Sequence, residues 1–228
     1  MIRVFTDGAC AGNPGRGGWA AILLLPDGKV FELGGAVPRT TNNRMEMLAA
    51  VEALRALEAH PGALRVTTDS TYLVKGVTSW VASWKRKGWK RIDGGDVLNR
   101  DLWESLDALC AARRVEWEHV RGHDGHPANE RCDRIAVAFA QGREIDLYAG
   151  PLSDYPVDLL AAPAPHEPRA PRKRAKKGPG TYLSLLDGRL ERHATWAECQ
   201  ARVHGKPAKF KKVCSPDEEA ATLKDWGI

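Results

Sequence analysis

The order of strand-like and helix-like periodicity in residues 1–146 is the feature that most constrains how this chain can fold. Residues rich in β-formers predict three consecutive strands, over 2–9, 17–25 and 29–36, with a turn at Pro26-Asp27-Gly28. The later elements are a helix over 43–59, a strand over 64–68, helical segments over 70–84 and 100–112, a strand over 115–120 and a helix over 127–141. This order predicts an α/β domain in which a five-stranded mixed sheet is flanked by helices.

Residues 147–180 differ in kind from the region before them. Seven prolines lie between 150 and 180, together with the basic run RAPRKRAKK, so this segment is interpreted as a linker. Pattern returns over 181–228, with a strand-like TYLSLL, an Asp187-Gly188 turn and a helix that starts at Thr195-Trp196. The chain is therefore expected to hold a domain over 1–146, a linker over 147–180 and a small α+β module over 181–228.

Composition and charge exclude several classes of protein. The chain is 43% apolar and 28% charged, which allows a packed core, and its longest apolar runs are far shorter than a membrane span. The N-terminus has no apolar signal-peptide segment, and five scattered cysteines without a CxxC argue against a disulfide framework or a zinc site, so a cytoplasmic location is expected. Residues 151–228 hold 14 basic and 10 acidic side chains, which suggests a polyanionic partner, with a merely solubilising tail as the alternative.

Four acidic side chains of the first region stand out: Asp7, Glu46 and Asp133 fall on or beside apolar faces, and Asp69 lies at the end of the fourth strand. Each also has a structural interpretation, since Asp7-Gly8 resembles a hairpin turn, Asp69-Ser70 an N-cap, and a helical Glu46 is commonly solvated. Acids that face inward together repel one another and protonate unless a cation neutralises them. Oxygen ligands without a His/Cys cluster suit Mg²⁺ or Mn²⁺, and a carboxylate-held metal pair suits in-line phosphodiester cleavage.

Four segments carry a family resemblance as well: FTDGACAGNPGRGGWAAIL, TTNNRMEMLAAVEAL, TDSTYLVKGVTSWVASWKRKGWK and WEHVRGHDGHPANERCDRIA. In this order and spacing, from about residue 2 to 143, they resemble type 1 ribonuclease H. The resemblance implies endonucleolytic hydrolysis of the RNA strand of RNA–DNA hybrids, giving 5′-phosphate and 3′-hydroxyl ends. It also implies that two Mg²⁺ ions, with Mn²⁺ as a possible substitute, bind Asp7, Glu46, Asp69 and Asp133. His123 matches the family's mobile histidine, whereas a structural interpretation is preferred for His119 and His126.

The same resemblance implies the residues that contact the hybrid. Asn13, Asn42 and Asn43 match positions that read the minor groove, although turn chemistry also explains asparagines there. Three further residues match a pocket for one DNA phosphate: Arg39, Thr41 and Asn99. The family's basic handle is matched by Trp80, Trp84, Lys85, Arg86, Lys87 and Trp89. Asn129 is also expected to contact the nucleic acid. A charge run is usually a solvated face, but three closely spaced tryptophans favour a binding surface. Thr71 departs from the glutamine of many relatives, which predicts a weaker contact to the RNA strand.

The C-terminal segment TWAECQARVHGKPAKFKKVCSPDEEA resembles the viroplasmin-like RNA–DNA hybrid-binding domain. The resemblance implies that Trp196 contacts DNA sugars and that Lys211 and Lys212 contact the nucleic-acid backbone. Two departures are the C-terminal position of the module and the presence of Glu191 and His193 before the tryptophan. A protein partner for this module is the alternative. A monomer is expected, and the rival classes are a binding module without catalysis, a transposase and a reverse-transcriptase domain.

Overall fold

The computed structural model describes residues 1–122, 126–161 and 180–228, and the chain divides into two compact units, Met1–Pro165 and His166–Ile228. The first unit is built on a six-stranded mixed sheet in the order β5-β4-β1-β2-β3-β6. Its strands are β1 Ile2–Gly12, β2 Gly15–Leu24, β3 Lys29–Thr40, β4 Leu64–Thr68, β5 Val115–His119 and β6 Ala149–Pro151. Strands β1 to β3 form an antiparallel meander, and β4 and β5 continue the sheet in parallel with β1, which confirms the predicted α/β class.

Helices cover both faces of this sheet. They are α1 Asn42–Ala56, α2 Thr71–Lys75, α3 Val81–Arg86, α4 Arg100–Ala111 and α5 Pro127–Gln141, with a π-helical turn Gly76–Trp80 between α2 and α3. One core lies under α1 and α4, around Leu54 and Trp103, and a second lies under α5, around Phe5 and Ile135. Helix α5 packs directly on β2 because Gly18 has no side chain; a Cβ there would lie 2.1 Å from the Ala136 carbonyl oxygen.

The sheet has one strand more than the five that the sequence predicts. Strand β6 pairs antiparallel with β3, with Phe31 opposite Ala149 and Lys29 opposite Pro151. A proline is tolerated in a short edge strand because its missing N–H faces away from a ladder, so the proline-rich composition misleads here. Tyr155 and Leu159 are also buried in the second core. The expected linker start at residue 147 is therefore wrong, and the basic run at 169–177 lies outside the described residues.

The second unit is a three-stranded antiparallel sheet in the order β8-β7-β9, packed with two helices. Its elements are β7 Thr181–Leu186, β8 Arg189–His193, α6 Trp196–Val203, β9 Lys209–Val213 and α7 Pro216–Trp226. Thr195 and Glu198 form a reciprocal capping box at the start of α6, where the sequence predicts a helix. The expected α+β module is thus confirmed. In neither unit does a helix of the described residues have the length and apolarity needed to cross a membrane.

Candidate active site

The four predicted carboxylates lie around one cavity of about 280 Å³ in the first unit. Its lining consists of Asp7, Gly8, Ala9, Cys10, Asn42, Glu46, Asp69 and Asp133. Asp7 lies within β1, so Asp7-Gly8 is not a hairpin turn, and Asp69 directly follows β4. Glu46 and Asp133 project from α1 and α5. Residues separated by up to 126 positions along the chain thus converge as the carboxylate pattern predicts.

Gly8 brings α1 close enough to β1 for this convergence. A Cβ at Gly8 would lie 2.3 Å from the Glu46 backbone nitrogen and 2.8 Å from the Met45 Cβ. The first turn of α1 can therefore lie directly on the strand that carries Asp7. Any larger residue at position 8 would push Glu46 away from Asp7.

Hydrogen bonds from neighbouring groups orient three of the carboxylates. The Gly8 N–H donates to Asp7 Oδ1 at 2.7 Å, and Asn129 Nδ2 lies 3.4 Å from Asp69 Oδ2. Glu46 accepts from Asn42 Nδ2 at 2.6 Å and from the Ser70 hydroxyl. The sequence interpretation missed this role of Ser70, which it treated only as an N-cap. The hydroxyl does cap α2 by accepting from the Leu73 N–H, and it orients Glu46 as well.

The electrostatics of the cavity call for a cation. Burial, and next the charge of Asp69, raise the pKa of Asp7 to about 8, with Asp133 and Glu46 adding to the effect. Burial is also the main cause that raises the pKa of Glu46. Lysine and arginine are absent from the described side chains that line the cavity, so nothing there neutralises the acids. A divalent cation would remove this repulsion and keep Asp7 ionised at neutral pH.

The donor set fits a hard divalent ion. The cavity offers carboxylate and amide oxygens and only one thiol, Cys10, whose Sγ points to the Thr40 carbonyl oxygen. The buried Oδ1 of Asn129 lacks a hydrogen-bond partner among the described residues, next to Asp69. In the described parts of the chain no three acidic, imidazole or thiol groups are already spaced around one point. Both oxygens of Glu46 accept hydrogen bonds, from Asn42 and from Ser70.

The histidines near the cavity differ in what the structure says of them. His123 lies outside the described residues, so its expected role stays a prediction. His119 Nε2 lies 3.0 Å from Thr71 Oγ1 and 3.1 Å from the Asp69 carbonyl oxygen, which ties β5 to the segment after β4. His126 is buried at the N-cap of α5 and packs against Phe5, with ring centroids 5.4 Å apart. Both histidines thus contact other residues of the fold, and the structural interpretation preferred from sequence stays a prediction.

The residues expected to read the hybrid surround the first turn of α1. Asn13 Oδ1 lies 3.4 Å from the Asn42 N–H, and Asn43 is exposed beside it. Thr41 is the N-cap residue of α1, and Arg39 is exposed just before it on β3. Asn99 adopts a left-handed backbone, with φ 58°, at the N-cap of α4.

Arg44 links two of these elements and was missed by the sequence interpretation. Its guanidinium donates to both carboxylate oxygens of Asp101, at 2.9 and 2.6 Å, and lies 3.4 Å from Asn99 Oδ1. It therefore holds the first turn of α4 against α1, where Thr41 and Asn99 are expected to bind one phosphate. No periodicity signals such a role for a single exposed-looking arginine.

The basic handle has a rigid aromatic base. Tyr72, Trp80, Trp84 and the fully buried Trp103 form a chain of ring contacts with centroids 5.3–5.7 Å apart. Above it lies an open groove of about 710 Å³ lined by Ser79, Trp80, Ser83, Trp84, Lys87, Lys90, Arg91, Ile92 and Asp93. Lys85 pairs with Asp107 at 2.6 Å, whereas Arg86 and Lys87 are exposed. Trp89 packs on the first core, and the Arg100 guanidinium lies over its ring.

The second unit exposes an aromatic and basic surface. Trp196 is 40% exposed and contacts Tyr182 and Phe210, with ring centroids 5.7 and 5.4 Å away. Lys212 Nζ lies 5.3 Å from the centre of the Tyr182 ring, and Lys211 is exposed on the same strand, β9. We refer to Tyr182, Trp196 and Phe210 as the aromatic surface. Large exposed rings beside lysines are costly to leave in water without a binding role.

The meander of three strands, the parallel extension and the carboxylates at α1, β1, β4 and α5 define the class as a ribonuclease-H-like fold. The RNase H family model matches residues 1–141, and the chain therefore belongs to the ribonuclease H family.

Individual relatives agree. Ribonuclease H of Cyanothece sp. is 54% identical over 149 residues, covering 64% of this chain and 94% of that protein. Ribonuclease H of Geotalea uraniireducens is 56% identical over 137 residues, covering 60% and 92%. Among solved structures, LC9-RNase H1, a type 1 RNase H with the type 2 active-site motif, is 35% identical with a TM-score of 0.58. That match covers 67% of this chain and 78% of LC9-RNase H1.

Proposed function

We propose that the first unit hydrolyses the RNA strand of RNA–DNA hybrids at the cavity lined by Asp7, Glu46, Asp69 and Asp133. The observation that carries the proposal is the convergence of these like-charged groups around one cavity, with Asp7 buried and the other three half-buried, in a chain of the ribonuclease H family. Acids that lie this close together stay ionised together only when cations neutralise their charge, and cations held by carboxylates suit phosphodiester chemistry.

The four carboxylates would hold two Mg²⁺ ions, for which Mn²⁺ could substitute. When bound, the ions supply activation of the attacking water and stabilisation of the leaving ribose 3′-oxygen, so that products carry 5′-phosphate and 3′-hydroxyl ends. Ser70 and Asn42 orient Glu46, and Asn129 orients Asp69, before the ions arrive. His123 would move a proton or assist product release.

Asn13, Asn42 and Asn43 would read 2′-hydroxyls in the minor groove, because only these groups distinguish the RNA strand locally. Their position around the first turn of α1, next to Glu46, supports this role. The DNA strand would place one phosphate at Arg39, Thr41 and Asn99. It would then follow the groove of the basic handle, whose described members are Trp80, Trp84, Lys85, Arg86, Lys87 and Trp89.

The second unit would add affinity for the same duplex. Trp196 would pack against sugars, and Lys211 and Lys212 would contact phosphates. The aromatic surface and the adjacent lysines support this role, because they combine apolar packing area with positive charge. Two modules joined in one chain gain avidity, on the order of 10²–10⁴-fold where both sites can be occupied together.

The catalytic proposal is tested with labelled RNA–DNA, RNA–RNA and DNA–DNA duplexes of one sequence, assayed side by side with Mg²⁺. Only the RNA strand of the hybrid should be cut. Asp69→Asn should bind the hybrid and retain less than a tenth of the wild-type cleavage rate. The control Glu58→Gln, at an exposed position just beyond the end of α1, should cleave at the wild-type rate. The proposed active site would be contradicted if RNA–RNA were cut as fast as the hybrid, or if Asp69→Asn kept full activity.

The role of the second unit is tested by hybrid affinity across a salt series. Lys211→Ala with Lys212→Ala should flatten the log–log salt slope by about 0.9 for each phosphate that these lysines neutralise in wild type, if the hybrid behaves like B-DNA. Trp196→Ala should weaken binding with the slope unchanged, because it removes packing and no charge. Unchanged affinity and slope in both variants would favour a protein partner for this unit.

A further inference from the structure

Residues 145–160, which we call the C-terminal strap, lie beyond the 1–141 span of the family match and pack on the first unit. Strand β6 within the strap adds to the edge strand β3, and the Glu32 N–H donates to the Tyr148 carbonyl oxygen at 2.8 Å. The Leu152 N–H donates to the Gly28 carbonyl oxygen at 2.7 Å, and Leu159 is 1% exposed. The strap is thus fixed at both ends and its middle.

Glu32 joins the strap to α5. Its side chain is completely buried and accepts four hydrogen bonds. Two come from Arg131 of α5, at 2.7 and 2.8 Å, one from the Tyr148 N–H at 3.0 Å and one from the Tyr155 hydroxyl at 2.5 Å. Arg131 also donates to the Asp146 carbonyl oxygen at 3.1 Å. A buried carboxylate bonded in this way holds its partners in one geometry, since loss of any donor leaves charge unsatisfied.

The anchored residue and the site residues lie on different sides of α5. Asn129 and Asp133 are four residues apart and share one face, which points to the cavity. Arg131 lies between them in sequence and, at about 100° per residue, on the opposite side of the helix. The N-terminal end of α5 is held separately, because Ala128 and Leu159 are buried in the same core cluster as Phe5. The strap therefore contacts the helix on its far side and at its beginning.

We propose that the C-terminal strap sets the rotation of α5, and thereby the distance of Asp133 and Asn129 from Asp69 and Asp7, with Tyr155 as a positioning residue for metal affinity. This inference rests on the proposed metal site. Without the Tyr155 hydroxyl, Glu32 loses one of its four donors and Arg131 gains freedom to shift. A small rotation of α5 then misplaces Asp133 as a ligand while every ligand remains present.

The test uses the full chain and measures Mn²⁺ binding directly, from free Mn²⁺ by electron paramagnetic resonance, beside hydrolysis at increasing Mg²⁺. Tyr155→Phe should raise the Mn²⁺ dissociation constant and the half-saturating Mg²⁺ concentration about threefold to tenfold, less than removal of a partner bonded directly to a ligand. The rate at saturating Mg²⁺ should stay within twofold. Leu159→Ala should show the same shift, and Leu159→Met should largely restore wild-type binding.

A matched control separates positioning from general destabilisation. Leu106 is fully buried in the first core, on α4, whereas α5 packs on the second core, so Leu106→Ala lowers stability in the other core. Its Mn²⁺ affinity should equal that of wild type. Wild-type affinity in Tyr155→Phe, or an equal loss in Leu106→Ala, would overturn the positioning role while leaving hydrolysis by wild type intact. Absence of Mn²⁺ binding by wild type would instead overturn the metal site itself.

Discussion

Asp7→Asn should stabilise the metal-free chain at pH 8 while abolishing hydrolysis. Asparagine keeps the shape of the side chain and an oxygen for the Gly8 N–H, but it removes a charge that burial and Asp69 oppose. The folded chain keeps the Asp7 proton up to about pH 8, whereas the unfolded chain loses it near the ordinary value of 3.8. Between these values the folded state binds more protons, so the free energy of unfolding must fall as pH rises.

The size of this effect follows from the shift. One pKa unit corresponds to about 1.4 kcal/mol, so Asp7 alone lowers the free energy of unfolding by about 3 to 4 kcal/mol between pH 5 and pH 8. For a chain of this size that is roughly 10 °C in Tm. Mg²⁺ should oppose the fall, because the ion binds the ionised carboxylates and stabilises the folded state.

The assay is thermal unfolding by tryptophan fluorescence at pH 5, 6, 7 and 8, with EDTA or with Mg²⁺. Most of the eight tryptophans lie in the first unit, so the signal reports chiefly on it. Wild type in EDTA should lose stability steadily toward pH 8, Asp7→Asn should lose much less, and Glu58→Gln should follow wild type. The reasoning is refuted if the wild-type Tm is the same at pH 5 and pH 8, or if Asp7→Asn keeps the full pH dependence.

Three further outcomes are expected. Ser70→Ala should lower the free energy of unfolding by about 1 kcal/mol through loss of the α2 cap, and should raise the half-saturating Mg²⁺ concentration because Glu46 loses a donor. Glu58→Gln, an exposed control outside the cavity and the groove, should do neither. Arg44→Ala should raise KM for the hybrid with little change in kcat, because Asn99 is then no longer held near Thr41; a fall in kcat alone would contradict this. A single ribonucleotide in duplex DNA should be cut far more slowly than a run of ribonucleotides, since three asparagines are expected to read several 2′-hydroxyls; a gel assay showing equal rates would contradict that scheme.

Elements could be predicted from sequence where residues at their own ends mark where they begin and stop. Helix α5 is expected over 127–141 and spans Pro127–Gln141, because Pro127 suits the first helical position and Gly142 adopts the left-handed conformation that ends it. The helical segment expected over 70–84 is present, but it contains a π-helical turn at Gly76–Trp80. At Gly76 a Cβ would lie 1.9 Å from the Trp103 ring, so this turn packs closely against a residue of α4. No pattern within 70–84 contains that information.

The residues of the candidate site also fall into those that the sequence could identify and those that it could not. Three of the carboxylates, Asp7, Glu46 and Asp133, could be found because they are acids on or beside an apolar face, and the resemblance to ribonuclease H joined them with Asp69 at the end of a strand. Ser70 and Arg44 could not be found, because their roles depend on partners 24 and 57 positions away. Periodicity identifies which face of an element is buried, but it does not identify which hydroxyl or guanidinium meets that face from another element.

The C-terminal strap shows the largest difference between pattern and structure, and the reason is physical. The strap contains prolines and a glycine, and its short runs of apolar residues follow neither a helical nor an alternating pattern, which is typical of a linker. Yet Glu32 is a buried acid in β3 whose charge has to be satisfied, and Arg131 alone does not saturate its oxygens. The strap supplies the remaining donors from Tyr148 and Tyr155, more than 110 residues further along the chain. When a buried acid in a strand lacks enough hydrogen-bond donors among its neighbours, another segment of the chain has to supply them. Such an acid therefore indicates that a later segment returns to cover it.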